Sequence, residues 1–480
     1  MWAHFPVLEP DPRMNGMAQP EVIVIGAGVS GLVCSWRLRQ AGIDAVCLEA
    51  TERVGGALRS HCRDGFLVEA GANTVQATPG FVDLLREVGL EKEVLQAELG
   101  LPRFILRHGE LHMLPLGPSA LVRTRLLSLR AKWQLVRELR IPPLRGGGEE
   151  SVDSFVVRRF GREIADTIAA PFVFGTFAGD PARLSASAVL PSLVGFEQQF
   201  GGVLRGALRS RRGAAGGAGR RLVALRRGME SLPAALAERM DGRVHLASGV
   251  QRLLRREANG ASLEIELDRQ HGARRIAARA VVVATPPWNA APLLATVAPQ
   301  TSAALAELEA PPLTVVSLAC MRADVTHSLR GFGFLVAPGE DARMLGCLWP
   351  SSVFAERAPA GRVSFTVFVG GTRDPGGADL GEDALVDRVR GDLARILGVK
   401  GRAAVLAIDR YPRSIPQYTL GHSRRVQRVR TGLASASGVF LAGNYFEGVS
   451  VGDCLDQATK TAFDVQKYLK TSVDFSPPGV

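Results

Sequence analysis

Three glycines and one carboxylate are the residues whose types and spacing first point to chemistry. In "EVIVIGAGVSGLVCSWRLRQAGIDAVCLEA", residues 21–50, Gly26, Gly28 and Gly31 form a GxGxxG pattern with Ala27, Val29 and Ser30 between them, and Glu49 follows 18 residues after the last glycine. The first glycine allows a tight turn, the second lets backbone approach a pyrophosphate, and the third lets a helix pack closely on a strand. A helix opening at this turn adds the positive end of its dipole. Glu49 can accept hydrogen bonds from both hydroxyls of a ribose. This is dinucleotide-binding chemistry, with NAD, NADP and FAD all open at this point.

Such a site needs a strand before the turn, a helix after it and a second strand that ends at the acid. Val22 to Ile25 is a short apolar run, the helical pattern continues through Leu38, and Gly42 supplies a stop before the second run. Two distant stretches read as further strands of the same unit. "RAVVVATPP", 279–287, is a buried strand ending in a small-residue turn, and "GVFLAGNYFEGVSVGDCLDQATKTA", 438–462, is a strand, a turn and a helix.

Length and composition bound the rest. A chain of 480 residues with 46% hydrophobic content divides into two or more domains. Its six cysteines include no CxxC pair, and no histidine cluster has metal spacing, so they read as buried thiols in a reducing compartment and no metal site is expected. The first 20 residues lack the basic start and apolar centre of a secretory signal and read as a loose tail. The longest charge-free stretch, 280–306, is interrupted by Pro286, Pro287, Pro292 and Pro299, which argues against a membrane-spanning helix. Net charge is +11, and between Gln198 and Met229 lie eight arginines and no carboxylate. Glycine and alanine surround these arginines and no aromatic residues interleave with them, so a solvated loop is expected and nucleic acid is the weakest partner.

The residues after the acid narrow the cofactor. "EATERVGG" places Arg53, Gly55 and Gly56 behind Glu49, an arrangement that resembles the FAD-dependent amine oxidase superfamily and is unusual in nicotinamide dehydrogenases. FAD is therefore expected. The glycines at 213–219 follow an Arg-rich run and no strand, so no second dinucleotide fingerprint is present, and electrons leave most simply to oxygen.

Longer matches are more specific. "GFLVEAGANTVQ" (65–76), "PFVFGTFAGDPARLSA" (171–186), "RRGMESLPAAL" (226–236), "GFGFLVAP" (331–338), "LGCLWPSSVFAERAP" (345–359), "IPQYTLGH" (415–422) and "GNYFEGVSVGDCLDQA" (443–458) run almost end to end. With them the chain resembles the oxygen-dependent protoporphyrinogen oxidases and their coproporphyrinogen-oxidising relatives, flavoproteins of late haem biosynthesis.

The resemblance implies a set of roles. Gly71, Ala72, Asn73 and Thr74 would lie close to the flavin, with Asn73 the polar residue; the family's usual proline is Ala72 here, which loosens the turn. Arg103 would hold a substrate propionate, a task suited to its planar fork of donors. Tyr411 stands where many relatives have a tryptophan near the flavin, and Val250 joins the cofactor-binding set. Gly443 and Asn444 would lie near the ribityl or phosphate part, with Val449, Ser450 and Val451 at a helix N-terminus over the isoalloxazine ring.

"PFVFGTFAGDP" would line the route for a large apolar substrate. Phe172, Phe174 and Phe177 offer flat area, Gly175 and Gly179 leave room, and Asp180 is read as the cap of a following helix. The implied reaction is hydride transfer from a meso carbon of the porphyrinogen to the flavin, with oxygen returning it to the oxidised state as hydrogen peroxide. No catalytic triad, paired carboxylates or metal cluster is discernible, so the cofactor carries the chemistry.

The expected fold class is α/β. A discontinuous Rossmann-type FAD domain takes in 21–90, 225–300 and 420–475, a helical insert 91–210, and a substrate domain with an antiparallel sheet 301–419. Within the insert, "ALVRTRLLSLRAKWQLVRELRIPPLR", 120–145, has Leu126, Leu129, Trp133, Val136 and Leu139 near helical spacing among arginines. It is expected to lie on an anionic membrane surface, as the insert does in relatives, giving peripheral attachment on the cytoplasmic or organellar side without secretion. A homodimer is compatible with this plan. The main rival is oxidation of coproporphyrinogen III, whose four propionates call for more cations; amine oxidase, phytoene desaturase and non-catalytic flavin-binding readings rank below it.

Overall fold

A computed structural model describes residues 20–115, 118–144, 148–213, 221–256, 262–268 and 275–473. The N-terminal tail and the centre of the Arg-rich loop lie outside the described residues.

One sheet is wholly parallel. Its strands run in the order Val244–His245, Ala45–Leu48, Val22–Ile25, Ala280–Val283 and Val439–Leu441, so four distant parts of the chain supply it. Every residue of the three central strands is buried, the pattern of a sheet covered on both faces. Strand periodicity sorts their side chains into two cores. Val22, Val24, Cys47 and Val282 face the helices Val29–Gln40 and Val451–Val473, while Ile23, Ile25, Leu48 and Val283 face the helices Pro287–Leu294, Pro299–Ala306 and His422–Ala434.

The second large sheet has seven strands in the order Ala404–Tyr411, Leu313–Met321, Arg362–Gly370, Met344–Leu348, Gly333–Val336, Arg103–Arg107 and Glu110–Met113. All its pairings are antiparallel except that of Gly333–Val336 with Arg103–Arg107, so it is mixed. Residues 94–113, read from sequence as part of a helical insert, contribute strands, two of them to this sheet. The apolar run in "RFILR" is too short to be told from a helical turn without its partner strands.

Helices do dominate from 118 to 213, but the expected long amphipathic helix is broken. A short helix, Pro118–Arg123, ends in bends where Leu126 and Leu127 are buried, and Ser128 starts the next helix, its Oγ accepting from the Ala131 N–H while its own N–H and Oγ–H bond the Glu163 carboxylate. The helix proper is Leu129–Arg137. Serine's short hydroxyl prefers such a cap to an interior position. Asp180 also differs from expectation. It accepts from Ala182 N–H at 2.8 Å in a turn and caps no helix; the helix here, Ala170–Phe177, precedes it.

The cysteines divide as well. Cys34, Cys47, Cys347 and Cys454 are buried, but Cys62 is exposed and Cys320 half-buried, because both fall near the ends of strands at the surface. No helix among the described residues is long and apolar enough to cross a membrane.

The helical region is locked by charge. Arg159 and Glu138 are fully buried and form an ion pair, and Glu138 also accepts from Val203 N–H at 2.7 Å and Leu204 N–H at 3.2 Å, closing the start of the helix Val203–Gly213. Removing one partner of such a pair leaves an uncompensated buried charge. Arg159→Ala is therefore expected to destabilise the protein by about 3–5 kcal/mol, read as a lower denaturation midpoint, while the neutral double variant Glu138→Gln/Arg159→Met, which keeps an acceptor for the Val203 and Leu204 N–H groups, recovers part of the loss.

Candidate functional site

The Gly-rich turn lies at the carboxyl end of the first strand, and its three glycines are held there by different constraints. Gly26 has φ +104°, where a Cβ would press on the Ala284 carbonyl at 3.1 Å. A Cβ on Gly31 would stand 1.8 Å from the Gly26 carbonyl oxygen, so the helix can approach the strand only with hydrogen at this position. A Cβ on Gly28 would meet nothing within 4 Å. The space beside it is open, as a pyrophosphate cradle requires.

Glu49 closes the turn from the neighbouring strand. Its Oε2 accepts from Ala27 N–H at 2.8 Å, and its Oε1 accepts from Thr51 N–H at 3.0 Å and Thr51 Oγ–H at 2.9 Å. The carboxylate thus stands at the turn, with lone pairs left for a hydroxyl. Val250 opens the strand that follows residues 247–249, and this segment runs beside Glu49: Ser248 N–H donates to the Glu49 carbonyl at 2.7 Å.

Two further turns pack on the first. Gly55 N–H donates to the Ala27 carbonyl at 2.8 Å, and a Cβ on Gly71 would come within 2.2 Å of the Ala57 carbonyl oxygen. Gly56, at φ +57°, lies with its Cβ position 3.3 Å from Gly28 Cα. Arg53 is occupied by its own loop, donating to the carbonyls of Gly56 at 2.5 Å and Val54 at 3.1 Å.

The final helix brings a second N-terminus to this edge. Ser450 caps it: Ser450 Oγ accepts from Asp453 N–H at 3.2 Å, and Asp453 Oδ2 accepts from Ser450 N–H at 3.0 Å. The Cys454 thiol, pushed up to about 11 by burial, is hydrogen-bonded by Ser30 of the first helix, so the two helix starts meet. Val451 begins this helix, and Val449 packs against the helical region. Gly443 has no room for a Cβ beside the Tyr445 ring, 2.5 Å away, and the Asn444 carbonyl accepts from Tyr418 Oη–H at 2.6 Å.

Asn73 lies across from these turns. Its Nδ2–H donates to the Gly71 carbonyl at 3.2 Å, and its Oδ1 is buried without a partner. Tyr411 Oη–H donates to the Ala70 carbonyl at 3.3 Å and ties the far sheet to this segment; burial raises the phenol above its ordinary value. Asn73 and Thr74 line a small cavity together with Phe332. The Arg103 guanidinium sits over that same Phe332 ring, 5.2 Å from its centroid. Arg103 is exposed and has no carboxylate partner among the described residues.

Not every aromatic in "PFVFGTF" faces a route. Phe172 is exposed and Phe174 half-buried, but Phe177 is buried against Tyr418, with ring centroids 6.4 Å apart. Gly175 makes room for Leu335, whose Cδ2 would lie 2.3 Å from a Cβ, and Gly179 for Gln417 Oε1 at 2.2 Å. Gly175 serves the packing of the helix on the second sheet, and Gly179 the close approach of the segment that carries Gln417.

Two charged residues escaped the sequence reading. Glu69 and Arg357 are buried, lie 3.1 Å apart and line the cavity with Asn73. A carboxylate closing the apolar strand "FLVE" was the available signal for one of them.

An open phosphate cradle, two convergent helix N-termini, a carboxylate beside them and an orphaned amide oxygen across from them fit a flavin dinucleotide. The chain belongs to the family of flavin-containing amine oxidoreductases, whose pattern it matches over residues 29–466. It is accordingly a flavin-dependent oxidoreductase with FAD as its cofactor. Among its relatives, protoporphyrinogen oxidase 1, chloroplastic, of Arabidopsis thaliana is 30% identical over 94% of this chain and 88% of its own. Coproporphyrinogen III oxidase of Bacillus subtilis (strain 168) is 26% identical over 93% and 98%. A crystal structure of a putative protoporphyrinogen oxidase from Exiguobacterium sp. 255-15 superposes with a TM-score of 0.80 at 26% identity, covering 95% of this chain and all of that one.

The glycine geometry predicts a split between two similar substitutions. Gly31→Ala should fail to fold or lose most of its stability, since backbone would have to move. Gly28→Ala should fold normally yet bind FAD at least 10-fold more weakly, because its methyl group would enter the cradle. Circular dichroism and flavin titration separate the two; equal FAD affinity in Gly28→Ala and the unmodified protein would contradict the assignment.

Proposed function

We propose that this protein oxidises protoporphyrinogen IX to protoporphyrin IX, with oxygen as the final acceptor and hydrogen peroxide as the second product. One observation carries the reading: Arg103, a cation without a carboxylate partner among the described residues, stands over Phe332, and that ring lines the same cavity as Asn73. A flat apolar substrate with carboxylate arms needs an aromatic wall, a two-pronged cation at the rim and a polar group near the reacting carbon. Similarity to porphyrinogen oxidases over nearly the whole chain supports the same class.

FAD, when bound, supplies the hydride acceptor and the route to oxygen. Glu49 takes the adenosine ribose, with Val250 close by, and residues 26–31 take the pyrophosphate. Gly443, Asn444 and residues 449–451 flank the remainder. Arg103 orients the substrate by one carboxylate, and Asn73 and Tyr411 border the ring system. Phe172 and Phe174 offer apolar area to an entering substrate.

Coproporphyrinogen III is the second reading, favoured by a second cation at an aromatic surface: the Arg373 guanidinium lies 5.9 Å from the Phe174 ring centroid. Its Nη1 and Nη2 already donate to the carbonyls of Val336 and Glu340, which leaves it less to offer a carboxylate. Side-by-side turnover of the two porphyrinogens, followed by porphyrin fluorescence and peroxide, decides between them. With the preferred substrate, Arg103→Ala should keep its FAD and raise KM, lowering kcat/KM about 10- to 150-fold, the value of one charge-assisted contact. Arg103→Lys should restore only part of this, since an ammonium lacks the planar fork. Unchanged kinetics in Arg103→Ala would remove the residue from the site.

The same reading includes peripheral attachment to a membrane. Leu129, Trp133 and Val136 occupy one face of a helix and are 84%, 61% and 63% exposed, with Arg130, Arg137 and Arg140 beside them. Such a face suits an anionic interface. Sedimentation with anionic liposomes should exceed that with neutral ones and weaken with salt, and Trp133→Ser should lower it; equal, negligible sedimentation with both vesicles would refute attachment.

A further inference from the structure

The turn from Gly443 to Ser450 joins the last strand of the parallel sheet to the final helix, yet its backbone does not hold itself. Among the described residues, no backbone-to-backbone hydrogen bond involves Gly443–Val449. Tyr445 and Phe446 on this turn are buried, and backbone groups in such surroundings need partners.

Two rings from one other segment supply them. Tyr418 Oη–H donates to the Asn444 carbonyl at 2.6 Å, and His422 Nε2 lies 3.1 Å from the Phe446 carbonyl. A carbonyl only accepts, so Nε2 carries the proton. The Gly448 N–H approaches the phenol oxygen from the far end of the turn. Both rings are buried and stack on each other, with centroids 4.0 Å apart and planes inclined at 18°. The imidazole is neutral: burial holds its pKa below the ordinary value, the Arg425 guanidinium adds to this, and Nδ1 has no hydrogen-bond partner.

The stacked pair is anchored away from the turn. Ser185 N–H donates to the Tyr418 carbonyl at 2.8 Å, Gln417 Nε2–H to the Phe177 carbonyl at 2.8 Å, and Leu420 N–H to the Arg183 carbonyl at 2.9 Å. Phe177, Arg183 and Ser185 all belong to the helical region. That region therefore reaches across with two rings and fixes two carbonyls of the turn, while Ser450 at the end of the turn caps the final helix. Where the carbonyls sit decides where that helix begins.

We propose that Tyr418 is a positioning residue for the cofactor: together with His422 it fixes the turn 443–450 and, through it, the N-terminus of the final helix against the flavin. The effect on the cofactor rests on the placement of residues 443–451 beside the flavin in the proposed function, whereas the hydrogen bonds rest on this chain's geometry alone. Negative charge gained on reduction is favoured by a helix N-terminus held close. Loosening the turn thus costs the reduced cofactor more than the oxidised one.

Tyr418→Phe keeps the stacked ring and removes only the hydroxyl. In the FAD-loaded protein, hydrogen exchange across 443–450 should rise about 10-fold, the equivalent of one lost hydrogen bond, while exchange across 170–177 stays as it was. FAD should bind about 10-fold more weakly, and the midpoint potential of the bound flavin should fall by about 30 mV, a tenfold change for a two-electron couple. His422→Gln, whose amide keeps a donor for the Phe446 carbonyl, should bring smaller changes than His422→Leu. A lower melting temperature in Tyr418→Phe with both flavin readouts unmoved is the mark of a merely structural hydroxyl and overturns the positioning role. Unchanged exchange across 443–450 overturns the hold on the turn itself.

Ser450→Ala, which loosens the helix cap directly, separates the two ways to fail. If it shifts the potential and the FAD affinity while Tyr418→Phe does not, the placement of the turn beside the flavin stands and only the role of Tyr418 is overturned. If neither variant shifts them, the placement falls and the inference falls with it.

Discussion

Parallel pairing is the constraint on which the site depends. Strands that all run one way present all their carboxyl ends at one edge, and connections must cross over before the next strand begins. Here that edge gathers the turn at 26–31, the acid at 49, the small-residue turn at 284–286 and the turn at 443–450. No single segment forms the site. The turns reinforce one another through backbone: Ala27 is engaged by Glu49 on its N–H and by Gly55 on its carbonyl, and Gly26 packs under Ala284. A cofactor bound at this edge is held by main-chain groups whose positions were set by the sheet, which is how a site can be preorganised without many charged side chains.

Much of this was legible in the sequence because it is local. The GxGxxG turn, its flanking strand and helix, and Glu49 lie within one stretch whose spacing states its own geometry. So does the strand, turn and helix from 438 onward. What was hidden depends on partners remote in the chain. "RFILR" became a strand only because Gly333–Val336 lies beside it in register, and the helical spacing in 120–145 was overridden when Leu126 and Leu127 entered the core and Ser128 found Glu163. Gly175 and Gly179 suggest an open route by their small size alone; the structure fills that room with Leu335 and Gln417.

Charges were the least legible. Glu69 and Arg357 are 288 positions apart, and apart from the apolar run before Glu69 nothing beside either in sequence announces burial. A buried pair of this kind contributes little net stability against apolar replacements of similar volume.

The discontinuity of the parallel sheet also carries a consequence for the order in which the protein is made. Its first strand ends at Ile25, but the strand Val439–Leu441 and the helix that follows complete the edge about four hundred residues later. At about 5–20 residues per second, a ribosome needs roughly 20–80 s to deliver them. During that time the phosphate turn lacks its second helix, and from the completion of Ala280–Val283 until residues 439–441 arrive Val281 and Val283 have a neighbour on one side only. Cofactor capture is thereby deferred until the strand Val439–Leu441 and the helix after it have been made, and a nascent chain that stalls short of residue 439 presents an open strand edge to whatever lies nearby.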